Sequence, residues 1–218
     1  MLKKTLLGFG IVSSLLYVGI DLLAALRFAD YHSFTSQAIS ELGAVGAPTR
    51  SMVEPLFTVY GLLLMGFGVG VWALGHRKPA LRIIGILLIG IWAVGLLTPP
   101  MSVRGTGTIS GDLPHIVLTG VIVLFILSAI AVGASLYGRT WRRYSVATIL
   151  TIVVSGALTG VAAGRLADGQ PTPWLGITER INIGAYLLWV VLLAVSLLRD
   201  MPPVISISAR GGEIRPAA

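Results

Sequence analysis

The sequence predicts an all-α membrane protein: a six-transmembrane-helix bundle with a short helical or re-entrant extracytoplasmic element after the first span. Three observations predict it. Apolar runs recur six times, none much shorter than the roughly 17–25 residues needed to cross a bilayer core. Charged residues make up only 11% of the 218 residues, less than half the about 25% of a soluble domain. Lys and Arg gather in alternate connections, which is how an oriented polytopic protein distributes them.

The first run, from about Thr5 to Leu26, follows the basic start Met1-Leu2-Lys3-Lys4. It exceeds the usual signal-peptide core of about 7–15 residues and lacks a small-x-small cleavage site, so a retained span is expected. Asp21 interrupts it near its exit. A carboxylate at that depth needs a bundle-facing partner or a wet cavity. Pairing with nearby Arg27 is the plain alternative. The second span ends near Gly75. At its start, Ser51-Met52-Val53-Glu54 fits a capping box, with Pro55 as the first residue if the helix begins at Glu54. The third runs from about Ala80 to Leu97 and stops at Thr98-Pro99-Pro100.

Met101 to Gly111 is rich in Gly, Ser and Thr and reads as a flexible loop. Asp112 then reads as an N-cap, with Pro114 and His115 in the first turn of a fourth span that ends near Tyr137. The fifth, from about Ser145 to Leu166, carries Gly156, Gly160 and Gly164 at four-residue spacing, a flat face suited to tight helix packing. Gly176-Ile177-Thr178-Glu179-Arg180 starts the sixth, which ends near Leu198. Residues 1–200 thus form one six-span domain. Residues 201–218 are polar enough to be expected as a disordered cytoplasmic tail.

Between the first two spans lies Tyr31 to Gly43, a polar island with one His, one acid and five hydroxyl side chains. Unpaired polar groups cost several kcal/mol in hydrocarbon, so this stretch belongs at an interface. Ser36 can cap a short helix whose Ala38, Ile39 and Leu42 face the membrane or the bundle. Gly43 supplies a left-handed stop. An ordered element is expected here, not a loose linker.

Orientation follows from the basic residues. Lys3, Lys4, Arg77, Lys78, Arg82, Arg139, Arg142, Arg143, Arg199, Arg210 and Arg215 share one side, eleven of sixteen. Arg27, Arg50, Arg104, Arg165 and Arg180 share the other. Both termini are therefore expected in the cytoplasm of a cell-membrane protein. The net charge of +7 reflects this asymmetry and implies no nucleic-acid partner; membrane lipids are the implied partners. Most acids fall on the outer side.

The outer candidates are Asp21, His32, Ser40, Glu41, Asp112, His115, Glu179 and Arg180. One expectation has Asp21, His32, Ser40, Glu41, His115, Glu179 and Arg180 converging on one pocket, with Arg180 paired to Glu41. Three functions fit such a set. It can bind or pass a lipid headgroup, an ion or a small molecule. It can form a hydrolase or transferase centre at the outer leaflet, with Ser40 as nucleophile or a divalent metal on His32, His115 and Asp21. It can be a set of caps and ion pairs in a non-catalytic accessory or sensor subunit. No His-Glu-x-x-His, Gly-x-Ser-x-Gly, Rossmann or Walker signature is present, so no organic cofactor is implied. With no cysteine, thiolate chemistry and disulfides are excluded.

Ile39-Ser40-Glu41-Leu42-Gly43-Ala44 after the first span, His115 at the fourth and Gly176-Ile177-Thr178-Glu179-Arg180 at the sixth carry a resemblance. In these residues the chain resembles the domain-of-unknown-function 998 family of bacterial and archaeal membrane proteins. The resemblance covers Thr5 to Leu198. It implies a six-span integral membrane protein and brings no activity or catalytic residue with it.

Overall fold

The computed structural model describes residues 1–76, 78–104, 109–167, 169–201, 205–207 and 214–216. Six helices carry the fold: α1 (Leu2–Arg27), α2 (Arg50–Trp72), α3 (Pro79–Leu97), α4 (Ile109–Gly133), α5 (Arg139–Ala167) and α6 (Leu175–Arg199). All six are long and apolar enough to cross a membrane. A 3₁₀ turn, Ile39–Gly43, follows α1. Two three-residue strands beyond α6, Ile205–Ile207 and Ile214–Pro216, pair antiparallel. Arg77, the centre of the 101–111 loop, Asp168 and most of the tail expected to be disordered lie outside the described residues.

The helices pack in the order α4–α3–α2–α1–α6–α5, each against its neighbour. The core lies towards the end that carries both chain termini. Phe67, Ile84, Ile130, Trp189 and Leu193 are fully buried there. At the crossing of α2 and α3 the two backbones nearly touch: a Cβ on Gly85 would lie 2.6 Å from the Trp72 backbone nitrogen, and one on Gly68 would lie 3.0 Å from the Gly85 carbonyl. Leu15, Leu62, Ile86, Leu124 and Val154 point outward from the bundle and are exposed. That pattern suits a hydrocarbon solvent and would be a liability in water.

The opposite end is a cap built on the polar island. Ile39 and Leu42 of the 3₁₀ turn bury against Ile20 and Ala24 of α1 and Val53 of α2. Burial of each such side chain from water is worth about 1.5–3 kcal/mol. The island is thus packed on the bundle. Its local chemistry differs from expectation. Ala38, not Ser36, precedes the turn, and Glu41 reaches back so that its Oε1 accepts the Ala38 N–H at 2.9 Å. The left-handed residue is Gly46, at φ 89°, not Gly43. Just before it, the Val45 N–H donates to the Met101 carbonyl at 2.9 Å.

Two helix starts also differ. α2 begins at Arg50, so Ser51–Glu54 is no capping box and Pro55 sits inside the helix. Glu54 instead pairs with Arg50 one turn back, at 3.1 Å. α4 begins at Ile109, which puts Asp112 within its first turn. There its Oδ1 accepts the Ser102 N–H at 2.8 Å and fastens the preceding loop. On α5 the glycine spacing does not bring a neighbour throughout. Gly156 meets Asn182, whereas Gly160 and Gly164 face open space.

Candidate functional site

The cap is organised by two arginines. α6 packs against α1, so Arg180, just inside α6, reaches the one acid buried in α1. Arg180 grips Asp21 with both edges of its fork, Nε to Oδ2 at 2.9 Å and Nη2 to Oδ1 at 2.7 Å. The two side chains are only 15% and 10% exposed. Nη1 donates to the carbonyls of Phe34, Gln37 and Gly176 at 2.8, 3.1 and 3.0 Å. The guanidinium also lies over the Phe34 ring, 4.2 Å from its centroid. Gly176 makes this geometry possible: it lies directly under the Phe34 and Gln37 carbonyls, where a side chain would collide with backbone. Its N–H donates to the Thr35 carbonyl at 2.9 Å. One cation thus joins α1, α6 and the polar island.

His32 belongs to the same cluster. Arg180 Nη2 lies 2.8 Å from His32 Nε2. A guanidinium only donates, so Nε2 accepts and the ring proton resides on Nδ1. Burial, then the adjacent Arg180 charge, hold the ring's pKa below its ordinary value against the opposing pull of Asp21 and Glu41. Nδ1 is buried and has no hydrogen-bond partner.

The second anchor is Arg104. Its Nε donates to Glu41 Oε2 at 3.0 Å and its Nη2 to Oε1 at 2.8 Å. Nη2 also donates to the Ser36 carbonyl at 2.7 Å, and Nη1 to Thr172 Oγ1 at 2.9 Å. Glu41 is nearly inaccessible, its side chain 1% exposed. The expected pairing of Arg180 with Glu41 is therefore corrected: Arg180 takes Asp21, and Glu41 takes Arg104. Arg27 is not the partner of Asp21 either. Sequence reading missed Arg104 because it stands in a Gly/Ser/Thr stretch read as flexible. The available signal was charge: a buried Glu41 demands a cation, and Arg104 stands in one of the two other loops at that end.

Glu179, beside Arg180, completes the fastening. It accepts the backbone N–H of Ile39, and Ser40, the next residue, stands beside the same carboxylate. Asp112 and His115 are engaged elsewhere. His115 Nδ1 donates to the Pro99 carbonyl at 2.8 Å, so these two residues tie residues 99–102 to the start of α4. The structure therefore gathers Asp21, His32 and Arg180 in one group. Glu41 is joined to Arg104 beneath the same segment, and Ser40 stands beside Glu179.

The donor set for a metal is not assembled. His32 and Asp21 approach to 3.9 Å, but the Arg180 guanidinium bonds both of them. His115 is spoken for by Pro99. Among the described residues no three His, Asp or Glu side chains are grouped to hold an ion.

No curated protein and no solved structure matches the chain. Residues 11–196, which reach from within α1 to within α6 and include every anchor of the cap, match the family described as Protein of unknown function (DUF998). With six apolar helices and a match over most of its length, this integral membrane protein belongs to the DUF998 family.

Proposed function

We propose that the protein is a non-catalytic component of the cell membrane, with both termini cytoplasmic and the cap outside, and that the polar cluster is a clamp. The observation that carries this reading is the commitment of Arg180: every nitrogen of its guanidinium is bonded, to Asp21, His32 and three backbone carbonyls. A reacting centre needs a nucleophile within reach of a base. Ser40 stands beside Glu179, whose carboxylate is already taken by the Ile39 N–H, and His32 accepts from an arginine, which opposes proton abstraction by the same nitrogen. A lipid headgroup or anion taken directly into this cluster would have to displace a carboxylate from a largely buried pair. Against the hydrolase reading, a fluorophosphonate probe is expected to give no labelling that Ser40→Ala removes. Ser40-dependent labelling would restore it.

A second reading rests on one atom. His32 Nδ1–H is buried without an acceptor, and a small acceptor ligand entering beside Phe34 would satisfy it.

The orientation is supported by the eleven-to-five split of basic residues. Cysteines introduced at Arg77 and Gly107 are expected to react with an impermeant maleimide from opposite sides of the membrane. Labelling of both from outside intact cells would overturn the assignment.

A further inference from the structure

His32 is held where its ring has a single acceptor to offer. Its backbone N–H donates to the Phe28 carbonyl at 2.9 Å, which seats the residue on the end of α1. The side chain is fully buried and lies edge-on to Phe34, with ring centroids 6.2 Å apart. Nδ1 carries the proton and meets no acceptor. Nε2 is therefore the one free lone pair of the ring, and it lies 2.8 Å from Arg180 Nη2.

Nη2 has two N–H groups. One goes to Asp21 Oδ1 at 2.7 Å and the other to His32 Nε2. A proton added to Nε2 turns that bond into two cationic donors face to face in a buried site. The nearest anion to the new imidazolium is Asp21, whose Oδ1 lies 3.9 Å from Nε2 and is the oxygen that Nη2 holds. The other charges around the ring are engaged elsewhere. Glu41, on the 3₁₀ turn, is taken by Arg104, and Glu179, next to Arg180 on α6, by the Ile39 N–H. Protonated His32 thus competes with Arg180 for one carboxylate.

We propose that His32 is a proton-sensing site that unlocks this side of the cap in acid. The proposal rests on the reading of the cluster as a clamp. On protonation, Asp21 exchanges its partner from Arg180 to His32. The guanidinium then withdraws from the Phe34 and Gln37 carbonyls that its Nη1 holds. The bond from the Gly176 N–H to the Thr35 carbonyl opens with them. Arg104 and Glu41 stand outside this exchange, so the 3₁₀ turn stays in place and release is confined to residues 33–37 and the start of α6. The pH direction follows from the burial of the ring and then from the Arg180 charge, which together keep it below an ordinary histidine. The lock is therefore complete above about pH 6.5 and is lost as pH falls through the lower folded value.

The test follows amide hydrogen exchange of the full chain in detergent, read by mass spectrometry over the island and the start of α6. His32→Gln keeps an acceptor facing Arg180 and has no proton to gain. The ratio of wild-type to His32→Gln exchange at each pH cancels the intrinsic pH dependence of exchange. That ratio is expected near one at pH 8 and about tenfold or more at pH 5, because each pH unit below the folded value multiplies the protonated form about tenfold. A ratio still near one at pH 5 overturns the proposal, and so does loss of the wild-type response in His115→Gln. Arg180→Ala separates that failure from failure of the clamp. Fast exchange in this variant at pH 8 leaves the clamp standing, whereas protection there overturns both. Histidine-selective ¹⁵N spectra of the wild type need no variant and should show His32 Nε2 unprotonated at pH 8. An Nε2–H tautomer there, or a ring that gains its proton while the Gly176 and Gln37 amides stay protected, also overturns the proposal.

Discussion

Arg180→Ala is expected to be the most damaging single substitution in the cap, costing about 3–5 kcal/mol of stability. The cost arises mainly from what is left behind. Asp21, 10% exposed, keeps a full charge with no partner, and the Phe34 and Gln37 carbonyls lose the donor that holds the polar island over α6. Arg180→Lys retains the charge but not the planar fork, so it should fall between alanine and wild type. Asp21→Asn combined with Arg180→Ala removes the stranded carboxylate, and this double variant should cost less than Arg180→Ala alone. Denaturant titration of the purified protein in detergent measures each. A loss below about 1 kcal/mol for Arg180→Ala, the worth of an exposed pair, would mean that the cluster is not the clamp described above.

Arg104→Ala is the second large effect expected, about 3 kcal/mol, and it is separable from the first by where the chain opens. Glu41 would lose both bonds from the guanidinium and keep those within its own turn, chiefly the Ala38 N–H. The Ser36 carbonyl and Thr172 would lose the same donor, so residues 33–43 and the start of α6 would no longer be linked through residue 104. Limited proteolysis should then nick the 33–43 segment while the six spans stay protected. Glu41→Gln in the Arg104→Ala background removes the unpaired charge and should recover part of the resistance. Unchanged resistance in Arg104→Ala would show that the 3₁₀ turn is held by Ile39, Leu42 and Glu179 alone. Arg104 and Arg180 both bond the backbone between Phe34 and Gln37, so their effects should not add.

The sequence by itself determined the number of spans, the end of the bundle that gathers the polar groups, and the ordered character of the island. Each depends on a local quantity. A span needs only a run of apolar residues matched to bilayer thickness, and that run reads the same whatever the helix packs against. The island could be judged ordered because Ile39 and Leu42 recur on one side of a short turn. Helix starts were less legible: Pro55 and Pro114 each suggested a first turn, yet both helices begin earlier, at Arg50 and Ile109.

Tertiary structure alone decided the partners. Arg180 and Asp21 are 159 positions apart, and Arg104 and Glu41 are 63 apart. With five cations and several acids at one end of the bundle, hydropathy permits many pairings. Only the neighbour order of the helices and their rotation choose among them. α6 lies against α1, which brings Arg180 to Asp21. Val45 is bridged to Ser102, which brings Arg104 to Glu41.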